Sequence, residues 1–221
     1  QSGETSDTIK SAQRVKEFSN LATLCITNNE ESTIWNLCDY KAACYAGTEQ
    51  GIAATKSFTS QMLCLILISL KLVEKIHGDN ATIGYKKSLF SLPAVVDKAL
   101  AKREDIKKLA AILAKENTIV ITADGISYSL AKEAALKIKE TSYKNISAAI
   151  LGEFMHGHVA VLNNPSMLIY IAVDEISKRS VSNLNKIKED YKPKLVIIGP
   201  AGEEVKPDCN INIVSENEIQ Q

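Results

Sequence analysis

The chain has 221 residues, 45% of them apolar and 24% charged, with 26 basic and 26 acidic side chains. That is ample for a sizeable core, in one large domain or two small ones. The zero formal net charge excludes the overall basic footprint of a nucleic-acid binder or of a protein held on an anionic membrane. Cys25, Cys38, Cys44, Cys64 and Cys209 form no C-x-x-C pair, and their odd number and irregular spacing argue against a disulfide framework and a zinc site. They read as reduced thiols in apolar segments, which points to a cytoplasmic protein.

The chain opens with QSGETSDT (1–8), a small polar loop around Gly3. Residues 8–19 then carry apolar positions at helical spacing. ATLCIT (22–27) is a compact β-type run ended by Asn28 and Asn29. STIWNLCD (32–39) starts with a hydroxyl cap and predicts a short helix, and YKAACYAG (40–47) predicts a strand. KSFTSQMLCLILISLKLVEKIHG (56–78) predicts a long helix stopped by Gly78. Its stretch MLCLILISL (62–70) is too short to span a bilayer and predicts a buried helix, and nothing in the sequence reads as a signal peptide.

A polar break is expected near 79–86, followed by one or two helices over 93–116. NTIVITADG (117–125) predicts a buried strand running into a glycine turn, and SYSLAKEAALKIKETSY (127–143) a helix. SMLIYIAVD (166–174) predicts a strand, 175–190 an amphipathic helix, KLVIIGP (194–200) a strand and NINIV (210–214) a last short one. Continuous apolar strands alternating with helices predict an α/β fold with parallel sheets covered on both faces. The pattern runs twice, so two similar subdomains are expected, 1–88 and 89–221.

Four polar clusters carry the chemistry. In QSGETSDT, Ser2, Thr5, Ser6 and Thr8 offer hydroxyls beside a helix start, which suits either a solvated capping loop or a lysine-free phosphate cradle. GIAATKSFTS (51–60) again sets a glycine and hydroxyls before a helix, as an N-cap or a second anion loop. In KIKETSY (137–143), Lys137 and Glu140 share a helix face, as a surface ion pair or as a carboxylate that moves a proton between adjacent sugar carbons. In GEFMHGHVAV (152–161), His156 and His158 flank Gly157; no acid or thiol completes a metal set, so one ligand-contacting histidine fits better. His77 reads as a helix-end residue that complements the dipole.

In this order and spacing, QSGETSDT, AGTEQGIAATKSFTSQ, EAALKIKETSY and GEFMHGHVAVL resemble the isomerase (SIS) domains of glutamine–fructose-6-phosphate aminotransferases, also called glucosamine-6-phosphate synthases. The similarity covers nearly the whole chain. It implies two SIS-type three-layer α/β/α subdomains, each a parallel sheet flanked by helices, and no cofactor. It also implies a hexose 6-phosphate substrate, with Gln1, Ser2 and Thr5 on the phosphate and Gly3 shaping their loop. Ile52 would line the sugar cleft through its backbone. Glu140 would move the proton between C1 and C2, with Lys137 assisting, and His156 would take part in ring opening from the partner subunit of a homodimer. The family carries a strand and a serine before this loop, a C-terminal tail with a sugar-contacting lysine, and a separate glutaminase domain. The resemblance thus implies a chain represented only in part.

Three departures stand out. Ala54 replaces a serine that contacts the sugar in the family, His158 replaces the proline of an H-G-P turn, and Ala123-Asp124-Gly125 replaces a Gly-Arg-Gly turn. The departures at Ala54 and His158 favour, as an alternative, a stand-alone sugar-phosphate deaminase or deglycase; a non-catalytic phosphosugar sensor, a use SIS domains also have, is a further alternative, against which Glu140 and His156 argue.

Overall fold

The computed structural model describes residues 1–18, 20–162 and 165–212. It divides into two compact units, Gln1–Ile83 and Gly84–Gln221.

The first unit is built on two parallel strands, β1 (Leu24–Thr27) and β2 (Tyr40–Ala43), in register from Leu24↔Tyr40 to Thr27↔Ala43. Helices α1 (Ser6–Phe18) and α2 (Thr33–Leu37) cover one face, where Cys25, Ile34 and Cys38 form the core against Ile9 and Ala12. Ser32 caps α2 by accepting from Trp35 N–H. Helix α3 (Lys56–His77) covers the other face through Gln61, which donates to Ile26 O, and Cys64. It stops at Gly78, whose φ of +89° closes the last turn. The strand expected over 40–47 ends at Ala43, because Tyr45 and Gly47 turn the chain with positive φ.

Two expectations are corrected here. The stretch 62–70 is not buried: Met62, Leu65, Ile66 and Leu67 are exposed, as are Leu72, Val73 and Ile76 further along α3. By length and composition alone, this 22-residue helix is long and apolar enough to cross a membrane, with 11% of its apolar window buried. Gln61 and Cys64 reach the small sheet, and two strands cannot cover all the apolar side chains that the middle of α3 carries around its circumference. The break near 79–86 is also shorter than expected. A 3-10 turn (Asp79–Thr82) leads directly into helix α4 (Ile83–Ala101), which runs through Pro93 and is followed by α5 (Arg103–Leu113). The turn is fixed from α3, where the buried Glu74 carboxylate accepts from Thr82 Oγ1 and pairs with Lys71.

The second unit holds a five-stranded parallel sheet in the order β4-β3-β5-β6-β7. Its strands are β3 (Thr118–Ala123), β4 (Ile146–Ile150), β5 (Ser166–Ile171), β6 (Lys194–Ile198) and β7 (Cys209–Ile211). The sequence pattern passed over β4. The expected last strand over 210–214 is seen as β7, and its positions 213 and 214 lie outside the described residues. Alternate residues face opposite ways. Ile119, Ile121, Ala123, Met167 and Ile169 pack against α5 and against Ala131 and Ala135 of α6 (Ser127–Ser142). Val120, Leu168, Tyr170, Leu195 and Ile197 pack against α7 (Leu151–Phe154) and α8 (Lys178–Tyr191). Each fully buried aliphatic side chain in these two layers stabilises the fold by roughly 1.5–3 kcal/mol.

Candidate active site

In an open parallel sheet, the crevice for ligand lies beyond the carboxyl ends of the strands. In the first unit three loops meet there. The Gln1 carbonyl accepts from Asn28 N at 3.0 Å and from Thr27 Oγ1 at 2.9 Å. The Asn28 side chain accepts from Ala46 N at 2.8 Å and donates to Gly47 O at 2.7 Å. One asparagine at the end of β1 therefore ties the QSGET loop to the loop that follows β2.

The QSGET loop is bent by Gly3, at φ +72°, whose carbonyl accepts from Ile34 N at 3.1 Å. A Cβ at this position would lie 2.1 Å from Ser32 Oγ, so only glycine lets the loop rest on α2. Ser2 Oγ accepts from Glu4 N at 3.2 Å, and the Thr5 carbonyl accepts from Ile9 N at 3.0 Å as α1 begins. Gln1, Gly3, Thr5 and Thr8, together with Cys25 and Gln61, line a cavity of about 370 Å³ that runs along β1. Burial, and then the neighbouring Cys38, push the Cys25 thiol up.

Two carboxylates that the sequence reading gave no role hold these loops. Glu4 accepts from Thr33 N at 2.7 Å and from Thr33 Oγ1 at 2.8 Å, which lowers its pKa. Glu49 accepts from Ser57 Oγ and N at 2.7 and 3.1 Å, and from Thr55 N and Oγ1 at 3.2 Å each. These bonds, those from Ser57 first, hold the Glu49 carboxyl at about 2. The hydroxyls of GIAATKSFTS thus do not cap α3 themselves; Thr55 makes no side-chain cap, and Glu49 supplies the acceptor from outside the helix. Between these anchors Ala53 is buried, Ala54 half-buried and Ile52 92% exposed. The N-termini of α2 and α3 are therefore sealed by the protein's own carboxylates. Among the described residues no carboxylate accepts from the first turn of α1, whose leading N–H groups have no partner within the helix.

In the second unit, Lys137 and Glu140 of α6 are in direct contact, with Lys137 Nζ 2.8 Å from Glu140 Oε2. The bond to Glu140, and then Glu133 at 3.6 Å, raise the Lys137 pKa. Glu133 was not singled out in the sequence, although its spacing of four from Lys137 was a usable signal. Helix α6 ends at Tyr143, in a left-handed conformation, which sends the chain straight into β4.

His156 and His158 are both exposed on the segment between α7 and a 3-10 turn (His158–Val161). Leu151, Phe154 and Val159 anchor that segment in the core, and Gly157, at φ +104°, lifts its tip. His156 donates its backbone N–H to Glu153 O, and its side chain makes no hydrogen bond or ion pair among the described residues. The structure thus joins Lys137 to Glu140 but does not bring His156 into that pair. Beyond the end of β3, Asp124 accepts from Tyr170 OH at 3.0 Å and from Ser180 Oγ at 2.7 Å. Burial, and then Asp124, push the Tyr170 phenol up to about 12. The anion of the Ala-Asp-Gly turn is thereby spent on the start of α8.

Comparison with known proteins places these elements. The SIS domain family model matches residues 1–70 and 112–221. Among curated proteins, the glutamine–fructose-6-phosphate aminotransferase (isomerizing) of Haemophilus influenzae is 33% identical over 192 residues, and that of Wigglesworthia glossinidia brevipalpis 29% over 191. Each alignment covers 85% of this chain and 31% of the relative, so the chain spans about a third of their length. The C-terminal domain of glucosamine-fructose-6-phosphate aminotransferase from Francisella tularensis superposes with a TM-score of 0.90 at 27% identity, covering 99% of this chain and 64% of that one. Glucosamine-6-phosphate deaminase from Thermotoga maritima shares the fold with a TM-score of 0.72 at 22% identity, covering 95% and 61%. The chain belongs to the SIS domain family.

Proposed function

We propose that this chain is a phosphosugar-binding aldose–ketose isomerase domain. It would be the synthase half of a glutamine–fructose-6-phosphate aminotransferase, forming glucosamine 6-phosphate from fructose 6-phosphate and ammonia. The observation that carries this reading is the Lys137–Glu140 pair at 2.8 Å on a helix of the SIS fold. Glu140 is the base that moves a proton between C1 and C2, and Lys137 steadies the sugar oxygens as charge develops on them. The phosphate sits on Gln1, Ser2 and Thr5, next in the chain to the start of α1, whose leading N–H groups would supply donors. Gly3 shapes that loop, and the backbone around Ile52 and Ala54 lines the sugar. His156 assists ring opening from the partner subunit of a homodimer, which suits its exposed and unpartnered side chain. The relatives' greater length supports a glutaminase domain joined to this one in the whole protein, and the five free thiols suit a cytoplasmic location.

The test is proton NMR of fructose 6-phosphate and of glucosamine 6-phosphate in D₂O. Deuterium entering at C1 or C2 with the wild-type protein, and lost in Glu140→Gln, is the expected result. Normal exchange in that variant would remove Glu140 from the mechanism. A second reading, a sugar-phosphate deaminase or deglycase of the same fold, is favoured by Ala54 and His158, which depart from the aminotransferase pattern. Release of ammonia from glucosamine 6-phosphate without any use of glutamine would select it. Hexose-phosphate binding with no exchange at all would instead indicate a sensor.

A further inference from the structure

Glu133, Lys137 and Glu140 form one stripe along α6, four and then three residues apart. The Lys137 ammonium lies 2.8 Å from Glu140 Oε2, a hydrogen-bonded ion pair, and 3.6 Å from Glu133 Oε1, just outside hydrogen-bond reach. The three side chains are 23%, 26% and 33% exposed in the order Lys137, Glu133, Glu140, so solvent screens them only in part. Strands β3, β4 and β5, on which α6 packs, carry no charged side chain. The one ionisable group there, Tyr170, faces the opposite layer and bonds to Asp124. Lys132 and Lys139 are exposed on other faces of α6. One ammonium therefore serves two carboxylates, and no other charge on these elements competes for it.

A carboxylate held by an ammonium is a poor base, because the pair must loosen before the carboxylate can accept a proton. We infer that Glu133 is a positioning residue: it draws the Lys137 ammonium off Glu140, so that Glu140 is free when the substrate proton must be taken. This rests on the isomerase reading above. In the step itself the Glu140 carboxylate takes a proton from C1 of the open-chain sugar. The C–H electron pair becomes the C1–C2 double bond as the C2–O2 π pair moves onto O2, giving an enediolate; the O1 proton then passes to O2, C1=O forms, and the C1–C2 pair takes the same proton back at C2, leaving Glu140 ionised again. While Glu140 is neutral, Glu133 remains the counter-ion of Lys137. The ammonium keeps its charge and can turn toward the sugar oxygens.

The experiment is Glu133→Gln, nearly the same in shape and on a half-exposed helix face, with two readouts. In the nitrogen-15 relaxation of the Lys137 ammonium, the order parameter rises in the variant, because one partner is left where there were two. In the D₂O exchange assay at saturating fructose 6-phosphate, the rate falls about tenfold while KM stays within about twofold. The acid limb of the rate profile moves to lower pH, and Glu133→Asp restores part of the rate. An unchanged order parameter together with an unchanged rate profile overturns the inference. If the wild-type protein exchanges no deuterium, the isomerase reading fails, and the Lys137 order parameter still decides whether Glu133 shares the ammonium.

Discussion

The Glu49 carboxylate reaches Ser57 across eight residues, accepting from its hydroxyl at 2.7 Å and from its backbone N–H at 3.1 Å. The loop that displays Ile52 is therefore shut by a side chain from its own entry. A folded-state pKa of about 2, below the ordinary value of 4.5, means that this bond strengthens the fold above the unfolded value and fades as pH falls toward 2. Glu49→Gln should lower Tm at pH 6, and the gap to wild type should close between about pH 4.5 and pH 2. Thermal unfolding across that range checks it; a gap that stays constant with pH would show that the charge plays no part.

Gly3 faces Ser32 at a distance that no other residue tolerates, with a Cβ placed 2.1 Å from Ser32 Oγ. Gly3→Ala should destabilise the chain by about 1–3 kcal/mol through its positive φ alone, before the clash is counted. Urea titration measures that loss, and the same change should weaken fructose 6-phosphate binding in calorimetry. An equally stable variant with unchanged affinity would show that the loop is free to move away from α2.

Glu116, in the turn before β3, is 1% exposed, with Oε1 paired to Lys194 at the start of β6. Among the described residues its Oε2 has no hydrogen-bond partner, while Lys144 donates to its backbone carbonyl. Lys194→Met leaves a buried carboxylate without its cation and should cost about 1–3 kcal/mol. Glu116→Gln, which removes the charge along with the pair, should cost less. Chemical denaturation of both variants tests the order, and a larger loss in Glu116→Gln would reverse the argument.

Tyr170 and Ser180 both donate to Asp124 Oδ2. Tyr170→Phe and Asp124→Asn should each destabilise by about 1 kcal/mol, and the double variant by less than the sum. Strict additivity in denaturation experiments would mean that the hydroxyl and the carboxylate do not act together.

The strands and helices that were legible in the sequence are those whose apolar pattern runs unbroken. TIVITA, SMLIYI and KLVII are buried on both faces, as central parallel strands require. The strand ISAAI escaped notice because serine and two alanines give it little β-type character, and its place beside β3 is settled by pairing from Ile119↔Ile146 to Ala123↔Ile150. Periodicity showed α3 to be a helix but could not say which of its apolar faces another element covers. In the site, the Lys137–Glu140 contact followed from helical spacing alone. The roles of Glu4 and Glu49 did not, since each carboxylate caps a helix that starts well beyond it in the chain, at Thr33 and at Lys56.

The strand order of the larger sheet has a consequence for how the chain is made. β3 is synthesised first, β4 joins one of its edges, and β5, β6 and β7 then add one after another on the other side. Each strand leaving the ribosome finds a ready edge, and none has to wedge itself between two that are already paired. The nascent sheet can therefore grow outward as translation proceeds, with β3 paired on both edges once β5 is made. A ribosome that stalls after β6 leaves a sheet short of one border strand, while a lesion in β3 removes the edge on which both β4 and β5 are laid.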